Sequence, residues 1–148
     1  MNKIQKDTYS IFVSVAENGT ERIKMYKYLN LNPAHWDTGD CTIRAISLLL
    51  DQSWERTYLM VCLQGFLMFK MPATNEVWSA YLYGFGFRRR AIRDTCPDCY
   101  TVRDFCRDFP YGSYLLALNG HVVTVIDGDY YDTWDSGNET VLYYWRKE

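Results

Sequence analysis

The sequence predicts an α+β fold, with helices in the middle of the chain and an antiparallel sheet at its C-terminal end. Three observations predict it. Apolar residues recur at helical spacing after residue 40, and short β-rich runs follow residue 112, separated by Asn-Gly and Asp-Gly turns. Aromatic residues make up 17% of the chain, which suits strands packing large rings on a pleated surface. Helices first and strands later excludes an alternating α/β sheet.

At the N-terminus, residues 9–15 alternate weakly like a strand, Asn18-Gly19 marks a turn, and residues 23–29 read as a returning strand. Residues 1–30 are therefore expected to form a hairpin arm on a single domain spanning 1–148. Ile43, Ile46, Leu49 and Leu50 share one helical face, and Asp40 before them is a natural N-cap that puts Cys41 in the first turn. A second helix opens at Ser53-Trp54-Glu55 and runs through Leu59, Val61, Leu63 and Phe66. A third begins after Pro72 with Thr74 as cap, and Tyr83-Gly84-Phe85-Gly86-Phe87 breaks it. Arg88-Arg89-Arg90 follows, read as a solvated loop. Thr101-Val102-Arg103-Asp104 has the form of a capping box, so a short helix over 102–109 ends before Pro110. Strands are expected over 113–118, 121–126, 130–134 and 140–145, forming an antiparallel meander.

A chain of 148 residues with 48% hydrophobic content supports one ordinary core. A formal charge of −2 gives no electrostatic reason to expect nucleic acid or an anionic membrane as partner. No stretch resembles a secretory signal or a membrane span, so a cytoplasmic protein is expected, with its five cysteines as reduced thiols. Cys96-Pro97-Asp98-Cys99 has the spacing of half a zinc knuckle or a redox pair, with Cys106 a conceivable third ligand. A structural zinc site needs four ligands and no fourth is offered, so neither metal nor cofactor is expected.

A thiol becomes nucleophilic when its thiolate is stabilised, as by a helix N-terminus and a nearby imidazolium. Cys41 is placed at such an end. The histidines are His35 and His121; His35 lies in a loop, whereas His121 opens a strand from which its ring can project toward a helix tip. A third group that fixes the tautomer completes such a device. If Asp127-Gly128 is a two-residue turn, Ile126 pairs with Asp129, and alternation puts Asp132 on the face of His121 and Asp135 on the other. A one-residue bulge reverses that choice.

Gly39-Asp40-Cys41-Thr42-Ile43-Arg44-Ala45 resembles the nucleophile segment of papain-like cysteine peptidases. His121 at a strand start and Asp132-Thr133-Trp134 resemble that family's later landmarks, in the same order. The two segments together resemble small papain-like proteins encoded by bacteria and their phages. The resemblance implies a papain-like fold, with the nucleophile helix packed on the C-terminal sheet. It also implies a Cys-His-Asp triad acting on an amide or isopeptide bond of a peptide or protein, and Trp134 shielding the His-Asp bond. The family's oxyanion-stabilising glutamine is replaced by His35, whose ring nitrogen and the Cys41 backbone N–H are the donors this sequence offers. Asp135 is carried as a supporting acid. The competing expectation is a papain-like binding module without turnover, phage-encoded and directed at a host protein.

Overall fold

The structure is a computed structural model and describes residues 25–148. The expected strand over 9–15 and the Asn18-Gly19 turn lie outside the described residues. The elements run β1 (Tyr26–Tyr28), α1 (Cys41–Leu49), α2 (Trp54–Met68), α3 (Asn75–Gly84), β2 (Phe87–Ala91), α4 (Val102–Asp108), β3 (Ser113–Leu118), β4 (His121–Ile126), β5 (Asp129–Asp132) and β6 (Tyr143–Lys147). Among the described residues no helix is long and apolar enough to cross a membrane.

The strands form one sheet in the order β1-β5-β4-β3-β6-β2. Strands β3, β4 and β5 make the expected meander. Its second turn is the two-residue Asp127-Gly128, both residues at positive φ, with Ile126 opposite Asp129. The meander does not extend to a fourth strand as expected: β6 crosses back to pair antiparallel with β3. It also starts three residues later than the sequence suggests, because Thr140 is taken up in an isolated bridge to Thr101. β1 falls within the predicted 23–29 strand but pairs parallel with β5, a long-range pairing that local turn chemistry does not announce.

The arginine run is a strand, not a loop. Phe87 turns into the core, the segment pairs along its whole length with β6, and the guanidinium groups of Arg88 and Arg89 lie over the rings of Tyr83 and Tyr143. This is the last strand in the order, and its charged side chains discourage further pairing there. Cys96 and Cys99 are likewise not the expected free thiols: they form a disulfide across Cα atoms 4.2 Å apart, close enough for direct bridging. Cys41, Cys62 and Cys106 are free.

Each face of the sheet carries its own core. On one face Ile43, Ala45 and Ile46 of α1, Val61 of α2 and Trp78, Tyr81 and Leu82 of α3 pack on Leu115, Ala117, Val122 and Trp145. On the other, Phe105 and Cys106 of α4 pack on Leu116, Val123, Val125 and Tyr130. The predicted capping box of α4 is present, with Thr101 and Asp104 bonded reciprocally. The hydroxyl of Thr124 in β4 donates to the carbonyl of Ala45 at 2.7 Å, pinning α1 to the middle of the sheet. That pin sets where the first residue of α1 meets the first residue of β4.

Candidate active site

Cys41 is the first residue of α1, as its sequence context suggests. Gly39 precedes it at φ 67°, a left-handed conformation that glycine adopts at no steric cost, and this turns the chain into the helix. Asp40 occupies the N-cap position but makes no side-chain cap bond. Its carboxylate is turned inward, where it accepts from Asn32 Nδ2 at 3.0 Å, from Trp54 Nε1 at 2.8 Å and from the guanidinium of Arg44. Both partners of that ion pair are buried. The leading N–H groups of α1 are consequently left uncapped beside the Cys41 sulfur, with the positive end of the helix dipole.

His121 is the first residue of β4, and its imidazole lies within hydrogen-bonding reach of the Cys41 thiol. Its Nε2 meets Asp132 Oδ2 at 2.6 Å. Asp132 closes β5 and is 5% exposed. The same Oδ2 accepts from Ser136 Oγ at 2.7 Å, and Oδ1 accepts from the Thr133 backbone N–H at 2.8 Å. With Nε2 engaged by the carboxylate, Nδ1 is the nitrogen left for sulfur, so Asp132 fixes both the tautomer and the direction of the ring. The Trp134 indole packs 5.2 Å from the imidazole, centroid to centroid, at a tilt of 43°.

The electrostatics favour a thiolate–imidazolium pair. Burial pushes the Cys41 thiol up, but hydrogen bonds from His121 and the Val122 backbone N–H outweigh it, and the thiol ends below its ordinary value of 9.0. Burial pushes His121 down, yet hydrogen bonds to Asp132 and Cys41 raise it from 6.5 to about 9. Cys106 makes the contrast: burial alone, aided by the charge of Asp129, pushes that thiol up to about 12. Depth inside the molecule thus makes one cysteine inert, while a histidine partner activates the other.

Cys41 and His121 open onto a cavity of about 450 Å³, walled by Gly39 and Thr42, by the β3–β4 turn at Asn119 and Gly120, and by Ala73, Asn75 and Trp78. A second cavity of about 550 Å³ adjoins it across Gly39 and Thr42, with Trp36, Trp54, Tyr58 and Ile43 in its walls. Trp36 and Trp54 are groove wall.

Two expected supporting residues lie elsewhere. His35 is exposed in the 32–40 loop at φ 55° and lines neither cavity. Asp135 accepts from Tyr130 Oη and binds Arg103 at 2.7 Å, in the loop beyond β5, which ends at Asp132 and not at 134 as expected. It braces the loop after β5 and does not touch the imidazole. Sequence reasoning missed Ser136, Thr133 and the Asn32–Asp40–Arg44–Trp54 cluster. The Asp40–Arg44 pair had a readable signal, opposite charges four residues apart at a helix start; Ser136 had none.

No family model, curated protein or solved structure matches this chain.

Proposed function

We propose that this protein is a thiol-dependent hydrolase or acyl transferase of the papain-like kind, acting on an amide or isopeptide bond. The observation that carries the reading is Cys41 at the first turn of a helix, sharing a cavity with His121, whose ring is bonded to the buried Asp132 at the end of β5. Nδ1 of His121 takes the Cys41 proton. The thiolate attacks the carbonyl carbon, the carbonyl electrons move to oxygen, and their return expels the amine, which takes the proton from His121. Water, deprotonated by the same imidazole, then attacks the thioester and releases the acid; another nucleophile in its place makes the reaction a transfer. The Asp132 carboxylate orients the ring and stabilises the imidazolium.

A second reading, a binding module without turnover, draws on the position of His35, which does not line the cleft and so does not supply the oxyanion donor expected of it. Mixing the protein with p-nitrophenyl acetate separates the two. An enzyme acquires an acetyl group on Cys41, seen by intact-protein mass, and then loses it with continued release of nitrophenolate. Cys41→Ala does neither. A binding module shows no adduct at Cys41 beyond that of an ordinary exposed thiol.

A further inference from the structure

We infer that the side-chain amide of Asn75 supplies the second oxyanion donor, working beside the uncapped backbone N–H of Cys41. The inference rests on the hydrolase reading above and assigns a catalytic residue that no resemblance suggested.

Asn75 opens α3 and lines the same cavity as Cys41, Thr42 and His121, standing at its exposed mouth. Its orientation is fixed by chemistry. Trp78 Nε1 lies 3.1 Å from the Asn75 side-chain oxygen, and an indole nitrogen can only donate. The atom facing the indole must be the carbonyl oxygen Oδ1, so the amide's other end, the two-proton donor Nδ2, is not engaged by the indole. The indole that enforces this is itself rigid: Trp78 is 2% exposed and packs edge-on against Trp145 at 6.1 Å. An anchored amide donor in the wall of the nucleophile's cavity is what a tetrahedral oxyanion requires.

The second half of the hole comes from Asp40. A capping carboxylate would normally occupy the first N–H groups of α1. Here it is drawn away by Arg44, Asn32 and Trp54, and the N–H of Cys41 remains for the reacting oxygen. Asn119 also lines the cavity, but no hydrogen bond to its side chain is present among the described residues, and nothing there pre-orients its amide. Preorganisation is what makes such donors effective, which selects Asn75.

Two reactions of Cys41 test this. Acylation by p-nitrophenyl acetate passes through an oxyanion; alkylation by iodoacetamide, a direct displacement at carbon, does not. Asn75→Ala removes the donor, while Asn75→Asp removes it and keeps an oxygen for Trp78, so that one variant retains the packing. Both should acylate about 10²- to 10³-fold more slowly than the wild type, with alkylation on its high-pH plateau unchanged. Wild-type acylation rates in both variants, or a loss found only in Asn119→Ala, would overturn the assignment while leaving the hydrolase reading intact. A wild-type protein that neither acylates nor selectively alkylates at Cys41 sinks both.

Discussion

His121 is held by Asp132 through the nitrogen that does not face the thiol: Nε2 meets Oδ2 at 2.6 Å, and Nδ1 is thereby presented to Cys41. The carboxylate both aims the ring and raises its pKa to about 9. Asp132→Asn keeps the shape and removes the charge, so the His121 pKa should fall from about 9, because burial still opposes the charged ring and only Cys41 remains to support it. The proton needed by the leaving group is then lost at lower pH. The alkaline limb of the pH–rate profile for ester hydrolysis should move down from near 9, with the acid limb moving less. Asp132→Ala should cut turnover by about 10²-fold or more, within the range attributed to general acid–base catalysis. An unchanged alkaline limb in Asp132→Asn would show that the carboxylate does not act through the imidazole.

Asp135 offers the matching negative control. It is only three residues away in sequence, but it serves Tyr130 and Arg103 and not the histidine. Asp135→Asn is expected to leave the pH–rate profile where it is. Its cost is structural and small, about 1 kcal/mol, in keeping with a partly exposed ion pair. Urea denaturation measures that cost, and a shifted profile would mean that Asp135 couples to His121 after all.

Asp40 ties the nucleophile turn to the core. Asp40→Ala leaves Arg44 buried without its carboxylate, and removes an acceptor from Asn32 and Trp54. Breaking a buried pair from one side costs about 3–5 kcal/mol. The double variant Asp40→Ala with Arg44→Leu should recover part of this, since the penalty comes mainly from the stranded charge. Denaturation midpoints of the two variants and the wild type give the comparison; equal midpoints for the single and double variants would contradict this explanation.

The parts of the fold that were legible in the sequence are those set by short-range rules. Residues 40–49 announce α1 through apolar spacing, and Asp127-Gly128 fixes the β4–β5 register that puts Asp132 with His121. What escaped was set by distant partners. FRRRA carries no strand alternation, and becomes β2 only because β6 is there to pair with it. β1 is a strand because β5 lies alongside. The carboxylate of Asp40 forgoes its local cap because three side-chain donors compete for it. Spacing to the cysteine alone does not place His35, which is itself left-handed and stands exposed, outside the lining of both cavities.

The pH dependence of Cys41 alkylation by iodoacetamide, followed by peptide mass spectrometry in the wild type and in His121→Ala, bears most directly on the site. The wild type should modify Cys41 ahead of Cys62 and Cys106, with a midpoint below the ordinary thiol value of 9.0. In His121→Ala burial acts unopposed by the imidazole, and the midpoint should rise to that value or above it. The same midpoint in both proteins, or a wild-type midpoint no lower than that of an ordinary thiol, would contradict a thiolate held by His121.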